Sequence, residues 1–534
     1  MSPRRILLLG LLVAAAVALV AHSLVFNFVT DDAFISFVYS RNLAQHGQLV
    51  FNLGEHPVEG YTNFLWTVLL AGFLKVGLVP ELMSRVLGTA FGVATLGTVA
   101  WLSRRLRASG EAADWAWWDA LPALLLAGVP GYACWSSGGL ETQMFAFLVT
   151  LGMAWHLDEL AGERPPRART AVAFALAALT RPEGSLLFAL TVLHRAVVTL
   201  VRGRFAIGRA ELRFGGAFLV FVVPHFLWRR WYYGWWLPNT FYIKSSGGGG
   251  AWQHGTYYLL RVVEQFHLWV VPILVVAALL VERPRGLKLL LGYATLVVGV
   301  FAVYVASVGG DFMGLYRFVM PVIPLVALVA ALSLRSALAP LDRRAPIAAA
   351  GVVAVALALH AWHAVRVDKL ESVVGDRPSD RGIDHPGWLK WYTEDRATIG
   401  RWFGKYARPD DYAAVGGAGA QVYYSGIRSL DCYGLSDEYV AHRVPARDSR
   451  PGHEKYAPDD YIVSRHPTII TSYNYRIGGA PTYVGGDSAY WMQRGYHYVT
   501  VPVAGLSSPY YSFLLRNDRS FGPLPALAAE PHEP

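Results

Sequence analysis

The stretch "FNFVTDDAFISFVYSRNLAQHG" (residues 26–47) follows the first apolar run of the chain and sets two adjacent aspartates, Asp31 and Asp32, just beyond it. Carboxylates beside a membrane span are either solvated boundary markers or working groups. Which they are depends on the side of the membrane they face and on what else converges on them.

The chain has 534 residues, 54% hydrophobic and 16% charged, and long apolar runs recur through residue 363. Each bilayer-spanning helix needs ~20 mainly apolar residues, so the sequence predicts a mainly α polytopic membrane domain over 1–363. Residues 364–534 are polar, Gly-rich and Tyr-rich. They predict a soluble C-terminal mixed α/β domain, with short strands at "DYAAVGG", "RSLDCYG", "PTIITS" and "YHYVTVPV". The net charge is +9. Most of the excess lies in short loops between spans, which is a positive-inside pattern rather than a nucleic-acid surface. Two cysteines, Cys134 and Cys432, cannot make a disulfide framework. The start, "MSPRRILLLGLLVAAAVALV", has the layout of a signal peptide, but "ALVAHS" is a poor cleavage site and the apolar run continues to Phe28. It reads as a retained signal-anchor span.

Twelve apolar stretches are candidates for spans, and the assignment of 63–79 decides the topology. If it crosses, the basic loops at 103–107, 163–169, 202–213, 282–288 and 334–344 all fall outside, against the positive-inside rule. If it lies in the outer leaflet, those loops and the N-terminus fall inside. The segment is short and carries Lys75 and Gly77. The expectation is therefore eleven spans, an inner N-terminus, an outer C-terminal domain, and an external first loop at 27–81 holding Asp31 and Asp32. Within that loop, 34–46 predicts an interfacial helix with Phe34, Phe37 and Val38 on one face and Gly47 as its cap.

The plain explanation of Asp31 and Asp32 is helix capping. Yet two adjacent carboxylates exceed what a cap needs. Successive helical residues point about 100° apart, so one can cap while the other enters a pocket. Close like charges also raise one pKa, which suits a general base. Other polar groups gather on the same predicted side: Glu59 and Tyr61 in "GEHPVEGYTNF", Glu141 in "CWSSGGLETQ", Arg181 in "LTRPEGS", Asn239 and Lys244 in "WYYGWWLPNTFYIK", and Asp311 and Arg317 in "GGDFMGLYRF". The aromatic run 231–242 suits interfacial anchors as well as sugar platforms, and Arg317 suits a snorkelling boundary residue. Arg181 sits at a Pro-broken helix pair, where an intramembrane cation needs a partner such as a lipid phosphate. The tail tyrosines suit core packing as well as glycan binding. The physical sketch is an outer cavity with carboxylates toward water and cations toward lipid, suited to a lipid-phosphate-linked donor and a hydroxyl acceptor.

An external acidic pair after the first span, with an acidic residue between the third and fourth, resembles GT-C membrane glycosyltransferases. The longer pattern at 31–66, with "SGGLET", "LTRPEG", "LPNTFYIK", "GAGAQVYYSGIRSLDCYGLSDEYVAHR" and "HEKY", resembles the group of mycobacterial terminal arabinofuranosyltransferases and their bacterial relatives. The resemblance implies a GT-C fold and transfer of a sugar, arabinofuranose, from a polyprenyl-phosphate donor to a cell-envelope glycan. It places the active site and C-terminal domain outside a bacterial cytoplasmic membrane. It implies Asp31 and Asp32 as active-site carboxylates, with Asp31 the base, and Glu141 at the second acidic position. No cofactor is required; a divalent cation at Asp31, Asp32 and Glu141 stays open. A lipid-linked-sugar transporter or flippase, a GT-C enzyme using a hexose donor and a non-catalytic envelope scaffold are the competing readings. The absence of internal repeats speaks against the transporter.

Overall fold

The computed structural model describes residues 3–107, 114–244, 249–282, 284–447 and 452–522. Among them, eight helices are long and apolar enough to cross a membrane, beginning with Pro3–Phe26 and ending with Pro346–Glu371. Gly250–Gln265 and Val270–Val281 form a further pair bent by 63°. Two of the eleven expected spans are short helices, Trp117–Ala127 and Ala168–Thr180. At ~1.5 Å per residue, neither crosses a hydrocarbon core of about 30 Å alone. Pro130 opens a new helix, Pro130–Ser137, after the first of them. The second ends because Arg181 precedes Pro182 and is held extended at φ −153°, the conformation that proline imposes on its neighbour. Gly184 then lets the chain fold back: a Cβ there would lie 2.4 Å from the Ala178 nitrogen.

Phe64–Lys75 is a helix of 12 residues, about 18 Å long at ~1.5 Å per residue. It is too short to span, as the charge pattern required. It packs against the helix Asp31–His46, which starts three residues before the predicted one and ends at Gly47 in the left-handed region (φ 68°). The rings of Phe34 and Phe37 are covered by Tyr423, and Phe34 also by Tyr424, all within 6.0 Å between centroids. That face therefore lies under the C-terminal domain.

The C-terminal domain is a six-stranded mixed sheet with helices packed on it. Its strands are β1 (Tyr412–Val415), β2 (Arg428–Asp431), β3 (Ile469–Thr471), β4 (Arg476–Gly478), β5 (Tyr496–Pro502) and β6 (Tyr510–Arg516). The order is β2-β1-β3-β6-β4, with β5 also on β6. Strands β1, β2 and β3 run parallel, whereas β6 is antiparallel to β3, β4 and β5. The four strands expected from sequence are β1, β2, β3 and β5. The helix Pro386–Tyr406 packs on the helix Ala420–Ser425 that links β1 to β2.

Strand β2 is an edge, and unpaired edges need covering. Asn52 of the first loop covers it: its amide nitrogen donates to the Ser429 carbonyl and its amide oxygen accepts from the Ser429 nitrogen, both at 2.9 Å. One side chain thus imitates a neighbouring strand. Asn52→Ala leaves a buried N–H and a buried C=O unpaired, at ~1–3 kcal/mol each. We expect a lowered melting temperature and faster proteolysis of the C-terminal domain; an unchanged melting temperature would contradict this coupling.

Candidate functional site

Asp31 and Asp32 open their helix, and both line a cavity of about 280 Å³ most of whose other walls come from the C-terminal domain. Those walls include Trp388, Tyr392, Tyr433, His453 and Tyr473, together with Phe312 from the membrane domain. Asp31 does not cap its own helix. Its Oδ1 accepts a 2.8 Å hydrogen bond from the Ala420 nitrogen, at the start of the helix Ala420–Ser425. Gly419 makes this approach possible, since a Cβ there would sit 2.0 Å from the Asp31 carbonyl oxygen and 2.6 Å from Oδ2. Burial pushes the Asp31 carboxyl up to about 6, against the Ala420 N–H and the Arg396 charge, which lower it; the neighbouring Asp32 raises it further. Asp32 is less buried than Asp31. The local reason is helical geometry: positions about 100° apart seat Asp31 deeper in the domain junction and leave Asp32 more open, while both reach the cavity.

A second cavity, of about 300 Å³, adjoins the first. The two share Phe312 and Gly452 as walls. The second is lined by Arg181, Glu183, Arg229, Tyr304 and Asp311 among apolar groups such as Leu237, Phe241 and Phe318. The Asp31–Asp32 doublet and the Arg181 and Arg229 guanidinium groups thus lie in cavities that meet at Phe312, with Glu183 and Asp311 beside the guanidinium groups.

The arginines arrive already paired. Arg181 donates to Glu141 at 2.8 Å and to Glu183 at 2.9 Å. Glu183 also accepts from Tyr304 at 3.2 Å. Asn63 donates to the other oxygen of Glu141 at 2.8 Å and accepts from Ser36 at 3.0 Å, joining this triad to the helix that carries Asp31. Arg229 pairs with Glu59 at 2.9 Å, and burial pushes the Glu59 carboxyl up to about 7, against the Arg229 charge. Arg317 pairs with Asp311 at 2.9 Å.

The sequence-derived residues therefore divide. Asp31 and Asp32 line the first cavity; Arg181 and Asp311 line the second. Arg317 and Glu141 stand behind them as ion-pair partners. Tyr61 is buried and shares a 3.0 Å hydrogen bond with Tyr233, and no cavity wall includes it among those above. Asn239 donates to the carbonyls of Gly434, Leu435 and Asp437 at 2.7–3.2 Å, so its amide latches the C-terminal domain. Lys244 ends the helix Asn239–Lys244, and its side chain lies outside the described residues. The carboxylates Asp31, Asp32 and Glu141 do not form one ligand set. Both Glu141 oxygens are taken by Arg181 and Asn63, and no three metal-binding side chains converge among the described residues. Sequence reading missed Arg229, Phe312, Tyr304 and the tail walls of the first cavity. Arg229 lies inside the long helix Arg209–Tyr233, where it reads as a boundary charge.

Removing Arg181 leaves two buried carboxylates facing each other, and breaking a buried pair costs ~3–5 kcal/mol. Arg181→Met is therefore expected to lose most folded protein in detergent. Arg181→Met combined with Glu141→Gln and Glu183→Gln is expected to recover it, as read by size-exclusion chromatography. Normal folding of the single variant would contradict the triad.

A family profile described as a domain of unknown function, DUF8728, matches residues 389–517, which lie within the C-terminal domain. Over 275 residues the chain is 29% identical to the terminal beta-(1->2)-arabinofuranosyltransferase of Mycobacterium tuberculosis (strain ATCC 25618 / H37Rv). That match covers 49% of this chain and 41% of the relative, so it spans less than half of the relative's length. The structure superposes on ArnT from Cupriavidus metallidurans bound to undecaprenyl phosphate with a TM-score of 0.59 and 16% identity, covering 97% of this chain and 99% of that one. Against the apo state of ArnT the TM-score is 0.57, at 16% identity, over 96% and 98% of the two chains. The chain is a multi-pass membrane protein, and its fold is that of ArnT, a GT-C fold with a small C-terminal sheet domain.

Proposed function

We propose that this chain is an inverting membrane glycosyltransferase that moves arabinofuranose from a polyprenyl-phosphate donor to a hydroxyl of a cell-envelope glycan. The observation that carries the reading is the pair of adjoining cavities, one with the Asp31–Asp32 doublet and one with Arg181 and Arg229, sharing Phe312 and Gly452. The arabinofuranosyl donor is supported by the Mycobacterium tuberculosis relative, and the polyprenyl-phosphate carrier by the undecaprenyl phosphate bound to ArnT. The positive-inside pattern supports an extracytoplasmic doublet.

In this reading the lipid phosphate lies in the second cavity with its chain toward the membrane. A guanidinium has five N–H donors. Arg181 spends two on Glu141 and Glu183, which fixes its plane and leaves the others for phosphate oxygens. The sugar extends past Phe312, bringing its anomeric carbon to the first cavity. Asp31 takes the proton of the acceptor hydroxyl as the acceptor oxygen bonds to the anomeric carbon from the face opposite the phosphate. The bond from the anomeric carbon to the phosphate oxygen breaks, and its electron pair leaves on the polyprenyl phosphate. One displacement inverts the anomeric centre. Phosphate is a good leaving group, so neither a protein nucleophile nor a metal step is invoked. Asp32 holds the acceptor beside the base and carries charge that favours the developing oxocarbenium character of the sugar.

The test uses purified protein, polyprenyl-phosphoryl-arabinofuranose and a synthetic arabinofuranose hexasaccharide. Loss of a general base costs about 10²–10⁴-fold. Asp31→Asn is expected to lower kcat by that range, and Asp32→Asn by about 10-fold or more, with normal thermal melting in both. Full transfer by Asp31→Asn would overturn the assignment. Movement of the lipid-linked sugar across vesicles without transfer would favour a flippase instead.

A further inference from the structure

A third cavity, of about 440 Å³, opens beside the first and shares Trp388, Tyr392, Tyr473 and Tyr475 with it. It is built entirely by the C-terminal part of the chain: Trp388, Trp391, Tyr392, Asp395 and Arg396 on the helix Pro386–Tyr406, the segment Tyr473–Ile477, and Asp376. Five of its walls are aromatic. Core packing does not explain them, because Tyr473 is 62% exposed and Trp391 is only partly buried.

Arg396 is the unusual member. It is 2% exposed, and the carboxylate whose charge it feels, Asp31, acts on it from across the first cavity rather than through a direct ion pair. Its guanidinium lies 4.2 Å from the Tyr475 ring centroid and 4.9 Å from that of Tyr392. Its terminal nitrogen makes a long contact of 3.4 Å to the Gln421 side chain, and its Nε has no hydrogen-bond partner among the described residues. A buried donor without an acceptor is costly unless a ligand supplies one. The neighbouring Asp395 does not, since its two oxygens accept from the nitrogen and hydroxyl of Ser507.

We propose that this cleft is the subsite for the acceptor glycan, holding the residues that precede the reacting sugar so that the terminal hydroxyl enters the Asp31–Asp32 cavity; this rests on the transferase reading above. Its chemistry selects a neutral oligosaccharide. Rings with exposed faces accept the C–H faces of sugars, and a few polar groups fix hydroxyls. The two guanidinium groups, Arg396 and Arg476, are matched by two carboxylates, Asp376 and Asp395, so a polyanion gains nothing overall. The Arg396 Nε donates to a sugar hydroxyl. The C-terminal domain thereby determines which glycan is extended, while the membrane domain determines the donor.

The experiment measures binding to the full chain in nanodiscs without donor, using a synthetic arabinofuranose hexasaccharide and intrinsic tryptophan fluorescence. Trp391→Ala and Tyr473→Ala are expected to raise the Kd at least 10-fold. Trp391→Phe and Tyr473→Phe are expected to stay within about 3-fold of wild type. Undecaprenyl phosphate binding is expected to be unchanged in all four, which checks the fold. The proposal is overturned if the alanine variants bind the hexasaccharide like wild type, or if wild type does not bind it. It is also overturned if the alanine variants transfer sugar with an unchanged acceptor KM, an outcome that leaves the transferase reading standing. Wild-type protein that binds the hexasaccharide through Trp391 but transfers nothing would sink the transferase reading instead and leave a glycan-binding cleft.

Discussion

The hydrogen bond from the Ala420 nitrogen to the Asp31 carboxylate joins the two halves of the molecule at the point where chemistry is proposed. Everything around it is arranged to make that contact short and dry. Gly419 removes the side chain that would block it. Arg41 donates to the Tyr423 carbonyl one helical turn further along. Asn52 closes the sheet edge at Ser429, and Asn239 ties the loop before the helix Glu438–Arg443. The cavity at Asp31 therefore has no complete wall in either domain alone. Its volume and the orientation of its base depend on their docking.

The same economy governs the charges. Burying guanidinium and carboxylate groups is expensive unless they are paired and hydrogen-bonded. The Glu141–Arg181–Glu183 triad carries one excess negative charge, and Arg229–Glu59 and Arg317–Asp311 are neutral pairs. Such pre-paired arginines keep a fixed geometry without ligand. A lipid phosphate then meets oriented donors rather than flexible side chains, and the ordering cost has been met on folding.

Much of this architecture is legible in the sequence, because bilayer physics writes a strong signal: run length and proline breaks located the long helices, and charge asymmetry singled out the short helix Phe64–Lys75, whereas two expected spans, at 117–134 and 170–180, hold only short helices. Alternation with Gly turns located β1, β2, β3 and β5. Strand β6, on which β3, β4 and β5 converge, was missed; "YYSFLLR" is apolar at five of its seven positions, a run whose periodicity does not separate strand from helix. At the site, Asp31, Asp32, Arg181 and Asp311 stood out as charges near predicted span ends. Trp388, Tyr392, Arg396 and Tyr473 did not. They reach the doublet only through the docking of the tail, over a separation of more than 350 residues, which local pattern cannot register. Tyr61 and Asn239 show the converse: polar residues in the right loop whose hydrogen bonds are spent on the fold.

The central claim is that Asp31, raised by burial to about 6, acts as the proton acceptor. The ionised carboxylate is the working form, so the rate should be flat above that value and fall as pH drops through it. The most direct measurement is the pH dependence of kcat/KM for transfer to the hexasaccharide, in wild type and in Asp32→Asn. The account predicts a single acidic limb near pH 6 in wild type. It predicts that the limb moves to lower pH in Asp32→Asn, because the neighbouring negative charge that raises Asp31 is gone. A profile with no acidic limb near 6, or a limb that does not move when Asp32 is neutralised, would contradict it.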